Sequence, residues 1–381
     1  MNIAYIGFPQ YENDCKWANH FAETNKIIFL NTPLKSGSYT FLSSSIKVYE
    51  ILPNTFPFSD ISAKRKALRA IQAILEKEQI DIIHSLYAVP NAFWAFELGF
   101  TNHIVTTRGS DILIDYNKTF KNPQTLKERI IYRYLRKKLE NSLNAARFIT
   151  STSTKQIQIM KTFIHDPSKI HLVRTGVDCE KFSSNLPPYS KHLQDPFIIF
   201  SPRTIAPLYH IELILDGVLL FKKKHPDLLI ELWLIDYFPG TEYTKLIKQK
   251  VAKSELTAVS KFLPVQTEAQ MISLYMKSDI VVSVPLSDGT PNSVLEAMLT
   301  KKPAIISNLE YDADLFNEDT IWKLTEDTPE VLAENLNDVY LMDRTALQKK
   351  LDLAYGTVLQ KANLTLEREK IQSLYEQMLL K

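Results

Sequence analysis

The stretch Asp279–Ser307, DIVVSVPLSDGTPNSVLEAMLTKKPAIIS, gathers residue types that suit the binding of an anion beside a polyol. An apolar run over Ile280–Val284 stops at Pro285 and gives way to a loop holding Asp288 and Gly289. Thr290 then reads as a helix N-cap and Pro291 as the first helical residue, where its missing N–H costs nothing. The backbone N–H groups of Asn292, Ser293 and Val294 should point out of that helix end. Together with the helix dipole they make a site for a diphosphate. Along the helix Val294, Leu295 and Met298 are apolar, while Asn292, Ser293, Glu296 and Thr300 share a polar side. The Glu296 carboxylate, about one turn in, can accept both hydroxyls of a ribose cis-diol. The plainer reading is a capped helix whose glutamate faces solvent.

Other reactive residue types form fewer patterns. Arg203 stands directly after the apolar run Phe197–Ser201 and needs a partner there. The eight histidines include no i,i+4 pair of the kind that binds a metal on a helix. Asp312 and Asp314 form a D-x-D, but in a polar loop beyond the helix described above. Cys15 and Cys179 match no metal or redox spacing and read as free thiols. No G-x-G-x-x-G and no G-x-x-x-x-G-K-[ST] occurs, which disfavours a dinucleotide dehydrogenase and a P-loop NTPase. Five of the nine glycines (Gly7, Gly109, Gly176, Gly240 and Gly289) fall just after apolar runs, where a backbone turns sharply or approaches a ligand.

These residues need a scaffold, and the pattern predicts two. Short β-type runs at Asn2–Ile6, Ile27–Asn31, Ile46–Glu50, Ile82–His84, His103–Thr107 and Phe148–Thr152 alternate with helical periodicity such as Ala63–Gln79. After a polar, proline-containing linker at 183–195 the alternation restarts with Phe197–Ser201, Ile211–Lys223, Leu229–Ile235, Asp279–Pro285, Pro291–Thr300 and Ala304–Ser307. A final helix covers Leu364–Leu380. The expected fold is α/β with two Rossmann-like domains facing across a cleft. Residues 1–190 form the first, joined by the C-terminal helix 362–381, and 191–361 form the second. Ligands of such domains sit outside the carboxyl ends of the strands.

The chain has 381 residues and a formal charge of +2, which hides an asymmetry. Residues 1–190 carry 24 Lys and Arg against 16 Asp and Glu, the remainder 21 against 27. The densest basic stretch, Lys127–Lys138, interleaves Arg129, Arg133, Arg136 and Lys137 with Ile130, Ile131, Tyr134 and Leu135. It reads either as a solvated helix or as a surface for an anionic membrane or polyanionic acceptor. No secretory leader or membrane-spanning run is visible, so a cytoplasmic chain is expected, with a peripheral membrane contact as the further option.

The stretch SDGTPNSVLEAM resembles the acid-x7-acid motif of the retaining GT-B glycosyltransferases of family 4, also called group 1. Asp81–Ser85, Val105–Asp111, Val173–Phe182 and Ser201–Leu215 resemble weaker motifs of the same family, and the last helix is similar to the one that crosses back onto the first domain. The resemblance implies transfer of a sugar from a nucleoside-diphosphate sugar to a glycan or lipid-linked acceptor, in cell-surface polysaccharide synthesis. It implies no cofactor, no metal and no nucleic-acid partner. By position, Glu296 would hold the donor ribose and Asp288 the sugar hydroxyls, while the backbone of Gly289, Thr290, Pro291, Asn292, Ser293 and Val294 would meet sugar and phosphate. Arg203 would neutralise the diphosphate, so Asp288, Arg203 and Arg108 become the catalytic candidates. Gly109, Ser110 and Asp111 would face the acceptor. The chain departs from the family at three points. Tyr209, counted with the donor-binding residues, is the nearest equivalent of a usual lysine and can donate a hydrogen bond but brings no charge. Arg108 replaces a usual histidine, and Phe8-Pro9-Gln10 replaces a glycine-rich loop. These departures keep open a non-catalytic sugar-binding protein, and more distantly an epimerase or phosphorylase.

Overall fold

The computed structural model describes residues 1–33, 39–58, 60–183 and 195–380. Most of the linker expected at 183–195 lies outside them. The chain divides into two compact units, Met1–Thr175 with Glu367–Lys381, and Gly176–Leu366. It therefore enters the second unit at Gly176, ahead of the expected boundary at 190. The reason is packing: Val177 bridges to Asn363, and Cys179 and Phe182 join the apolar cluster around Val294 and Met298.

The first unit is built on a seven-stranded sheet: β1 (Asn2–Ile6), β2 (Lys26–Asn31), β3 (Lys47–Glu50), β4 (Ile82–Leu86), β5 (His103–Thr107), β6 (Phe148–Ser151) and β7 (Ile170–Leu172). Their order is β3-β2-β1-β4-β5-β6-β7 and every pairing is parallel. β4 and β5 are buried at every position, as strands covered by helices on both faces must be, which is why their sequences hardly alternate. The second unit repeats the plan with six strands: β8 (Phe197–Thr204), β9 (Ile230–Ile235), β10 (Ser260–Leu263), β11 (Ile280–Ser283), β12 (Ala304–Ile306) and β13 (Trp322–Lys323). The order is β10-β9-β8-β11-β12-β13, again all parallel. β7, β10 and β13 carry no signal strong enough to read from sequence, being short and at sheet edges.

Each order reverses once, between β1 and β4 and between β8 and β11. At such a switch point the following loops diverge and leave a crevice outside the carboxyl ends of the strands. One polar chain runs through the first unit to fasten the C-terminal helix Leu364–Leu379 there. The Tyr375 hydroxyl meets Tyr5 Oη at 2.7 Å and His84 Nδ1 at 2.5 Å, and His84 Nε2 meets Thr106 Oγ1 at 2.6 Å. Burial holds His84 well below its ordinary range, so it stays neutral within the chain.

Candidate functional site

In the second unit β8 and β11 are direct neighbours, with Ile199 opposite Ile280 and Phe200 opposite Val281, so the loops after them start side by side. Leu286 N–H donates to the Leu208 carbonyl at 2.8 Å and ties those loops together. Ser307 Oγ, just past β12, bonds the Pro285 carbonyl at 3.0 Å and brings in a third loop. This frame puts Arg203 beside Asp288: Nη2 lies 3.0 Å from Oδ2, and Nη1 donates to Ser293 Oγ at 3.3 Å. The first contact is electrostatic, since Asp288 Oδ2 takes part in no aligned hydrogen bond. Asp288 Oδ1 accepts the Gly289 N–H at 2.8 Å. The Tyr209 ring stacks on the guanidinium, 4.2 Å from its carbon. Burial works against the charge on Arg203, but Asp288 and Tyr209 outweigh it and the pKa moves up.

The helix starts one residue later than the sequence suggests. Pro291 is the N-cap, with φ −70° and ψ 110°, and the helix runs Asn292–Leu299. A proline φ suits either position. Its ψ here is extended, so Thr290 is not the cap. No side chain caps this end and no acidic residue lies in the first turn. Val294 N–H, expected to be open to a ligand, donates instead to the Pro291 carbonyl at 3.0 Å, and its side chain is buried. Among the described residues the N–H groups of Asn292 and Ser293 have no protein acceptor, and Asn292 Oδ1 is buried without a partner. Two open donors, an uncompensated helix dipole and an arginine thus converge on one spot, an arrangement built to hold an anion.

Glu296 lies on the same helix. Its Oε2 accepts from the Tyr275 hydroxyl at 2.7 Å. Tyr275, from the helix Glu268–Lys277, is fully buried, and burial with the nearby Glu296 charge pushes it well above its ordinary range. It therefore stays a donor and orients one carboxylate oxygen. Sequence reasoning missed this tyrosine. A buried tyrosine needs a partner, but nothing in the local sequence points to Glu296.

The loop after β5 in the first unit has a different character. Arg108 Nη2 pairs with Asp14 Oδ1 at 2.8 Å, and Asp14 Oδ2 accepts the Phe8 N–H at 2.8 Å. A Cβ on Gly7 would fall 2.9 Å from that oxygen and would push it aside, so glycine suits this approach. The crevice beside Arg108, lined also by Trp17, His84, Thr106 and Arg174, is only about 10 Å³, room for about one water. Arg108, a catalytic candidate by sequence, is thus bound up in an ion pair. Asp111 corrects the sequence reading more sharply. It does not face an acceptor: its fully buried carboxylate accepts the N–H groups of Ala88, Arg108 and Gly109 at 2.9, 3.1 and 3.0 Å. Burial raises its pKa from 3.8 to about 6 against the pull of those bonds. Gly109 has φ +114°, which permits the turn that brings these donors together. Ser110 Oγ bonds the Tyr87 hydroxyl.

Among the described residues no three of His, Cys, Asp and Glu come together as a metal-binding group, and of the D-x-D pair Asp312 is buried while Asp314 is exposed. No described helix is long and apolar enough to cross a membrane.

Residues 38–181 match the family Glycosyltransferase Family 4, and residues 185–352 match Glycosyl transferases group 1. The chain belongs to the family-4, group 1 glycosyltransferases. The group 1 match takes in Arg203, Asp288 and Glu296. A stretch of 170 residues is 24% identical to a D-inositol 3-phosphate glycosyltransferase of Pseudarthrobacter chlorophenolicus, covering 43% of this chain and 40% of that protein. A crystal structure of a glycosyltransferase from Rickettsia africae is 18% identical, covers 100% of this chain and 99% of its own, and gives a TM-score of 0.76. That of Anabaena Alr3699/HepE in complex with UDP is 14% identical, covers 99% and 100%, and gives 0.78. At these identities the likeness shows the fold, which is GT-B.

Proposed function

We propose that this glycosyltransferase-family chain is a retaining, metal-independent hexosyltransferase. It moves a sugar from a nucleoside-diphosphate sugar to a glycan or lipid-linked acceptor, inside the cell and in the service of surface polysaccharide synthesis. The observation that carries the reading is the convergence of Arg203, Ser293 and the open N–H groups of Asn292 and Ser293 at the start of one helix. A diphosphate seated there would share the Arg203 guanidinium with Asp288. Glu296, oriented by Tyr275, would take the ribose hydroxyls. Asp288 and Asn292 Oδ1 would receive hydroxyls of the sugar. The UDP complex of the Anabaena relative supports a nucleotide at this fold.

In this reaction the bond from the anomeric carbon to the phosphate oxygen breaks as the sugar gains oxocarbenium character. The acceptor oxygen then bonds the same face of that carbon, and its proton passes to the departing phosphate oxygen. Arg203 and the helix end stabilise the charge that develops on the leaving group, the task a divalent cation performs elsewhere. No protein base is required, in keeping with an arginine at position 108.

The ion pair that occupies Arg108, and the absence of charge at Tyr209, favour one rival, a protein that binds a nucleotide sugar without turning it over. Thermal melting with UDP, GDP, ADP, CMP, NAD and ATP tests the donor site. One nucleoside diphosphate should stabilise the protein by about 2.7 kcal/mol at a hundred times its dissociation constant. Glu296→Gln should weaken that binding by roughly 1–3 kcal/mol. Equal affinity in the variant removes Glu296 from the ribose, and release of nucleoside diphosphate from a donor sugar alone separates the enzyme from the binding protein.

A further inference from the structure

The helix Leu126–Ala145 of the first unit is firmly built on its inner side and unusual on its outer one. Thr125 and Glu128 form a reciprocal capping box, and Leu139, Ser142 and Leu143 are buried beneath it. On the other side Leu126, Ile130, Arg133, Tyr134, Lys137 and Asn141 follow at three- and four-residue spacing and so share one face. Leu126 is 74% exposed and Ile130 67%, with Ile131 and Tyr134 also exposed. Phe58, itself exposed, meets the Tyr134 ring edge-on at 5.4 Å and extends the apolar strip. Single exposed apolar residues are ordinary, but a contiguous row of them is not.

The charges around that row are of one sign. Lys127, Arg129, Arg133 and Lys137 are exposed, and none of the four makes an ion pair among the described residues. The carboxylates of the helix itself and Glu97 beside it are engaged: Glu128 in the capping box, Glu140 with Arg136 and the Tyr116 hydroxyl, Glu97 with Lys64 and Lys138. Beside Ile130 lies an open hollow of about 490 Å³, walled by Phe96 and Tyr134 and rimmed by Arg133 and Lys137, wide enough for a phosphate headgroup.

We propose that this outer face is a docking surface for an anionic lipid bilayer, with the helix lying in the plane of the interface. Leu126, Ile130 and Tyr134 would enter the acyl boundary while the four cations reach the headgroups. A nucleic acid or soluble polyanion would use the cations but leave the apolar row in water. A bilayer satisfies both. Because the helix is already capped and packed, docking carries little cost of ordering.

The test is flotation of the full chain with vesicles of phosphatidylcholine alone or mixed equally with phosphatidylglycerol. It needs neither donor nor acceptor, so its outcome is independent of the reaction proposed above. The chain should float with the anionic vesicles only, and less so as salt rises. Arg133→Gln with Lys137→Gln should weaken partitioning roughly twenty-five-fold, at about fivefold per cation. Leu126→Ser with Ile130→Ser should weaken it by about tenfold or more. All four residues are exposed, so far-ultraviolet circular dichroism and the melting temperature should not change. Failure of the parent chain to bind anionic vesicles overturns the proposal, as does binding that both variants retain. Concentration-dependent self-association that the apolar variant abolishes, with vesicle binding intact, would assign the face to a second copy of the chain instead.

Discussion

The two switch-point crevices of this chain hold the same pair of charges and use it differently. Arg203 meets Asp288 in the second unit, and Arg108 meets Asp14 in the first, at 3.0 and 2.8 Å. In the second unit the adjoining helix starts with no acidic residue and no side-chain cap, so its positive end is uncompensated. In the first, the helix Glu12–Phe21 carries Glu12 and Asp14 in its opening turn, and Asp14 also caps the Phe8 N–H. That helix end cancels its own field. The lesson is that an arginine at a switch point is available to an anion only when the helix beside it leaves its N–H groups unclaimed. Asp111 and Asp288 differ in the same way. One is surrounded by four backbone donors, from Ala88, Arg108, Gly109 and Ile112, and holds a loop, while the other keeps an oxygen free of aligned hydrogen bonds.

The sharpest way to break the comparison is to remove each arginine in turn. Arg203→Gln should lower kcat/KM by about 10²–10³, the loss typical of a group that stabilises transition-state charge. Arg108→Gln should act mainly on stability, by roughly 3 kcal/mol, because it leaves Asp14 buried and unpaired. Urea unfolding and initial rates of sugar transfer measure both. Equal losses of activity in the two variants, at equal stability, would dissolve the distinction.

A smaller effect concerns Asp111. Its folded pKa is about 6 against 3.8 unfolded, so between those values the folded state holds a proton that the unfolded state releases. Its contribution to stability is therefore fully present below 3.8, declines as pH rises towards 6 and is flat above, a total of roughly 3 kcal/mol. Unfolding free energies of the parent and Asp111→Asn at pH 4 and pH 7 should diverge by roughly 2 kcal/mol of that total, the parent losing more. Parallel pH profiles would show that Asp111 does not titrate within the loop. The smallest effect comes from giving the second unit the character of the first. Asn292→Asp puts a carboxylate at the open helix end and should weaken nucleotide binding by about 0.5–1 kcal/mol. Tighter or unchanged binding would mean that the phosphate sits elsewhere.

Much of this molecule was legible before any coordinates. The alternation of apolar runs with helical periodicity announced two parallel α/β units, because strands buried on both faces must be apolar throughout. The stretch Asp279–Ser307 announced a loop and helix start suited to an anion. Local chemistry was enough there, since loop, helix start and glutamate lie within one short segment. The sequence was less reliable where a residue's role depends on what folds against it. Tyr275 and Glu296, Arg108 and Asp14, and Asp111 with Ala88 are brought together by neighbouring strands and covering helices, and no spacing rule links them. The cap moved from Thr290 to Pro291 because ψ at Pro291 is extended, a single dihedral that no residue type in the stretch specifies. Residue types and their order thus determined the elements and the kind of chemistry available. Packing alone decided which charges are neutralised and which remain open to a ligand, because that depends on distances and burial that only the assembled units define.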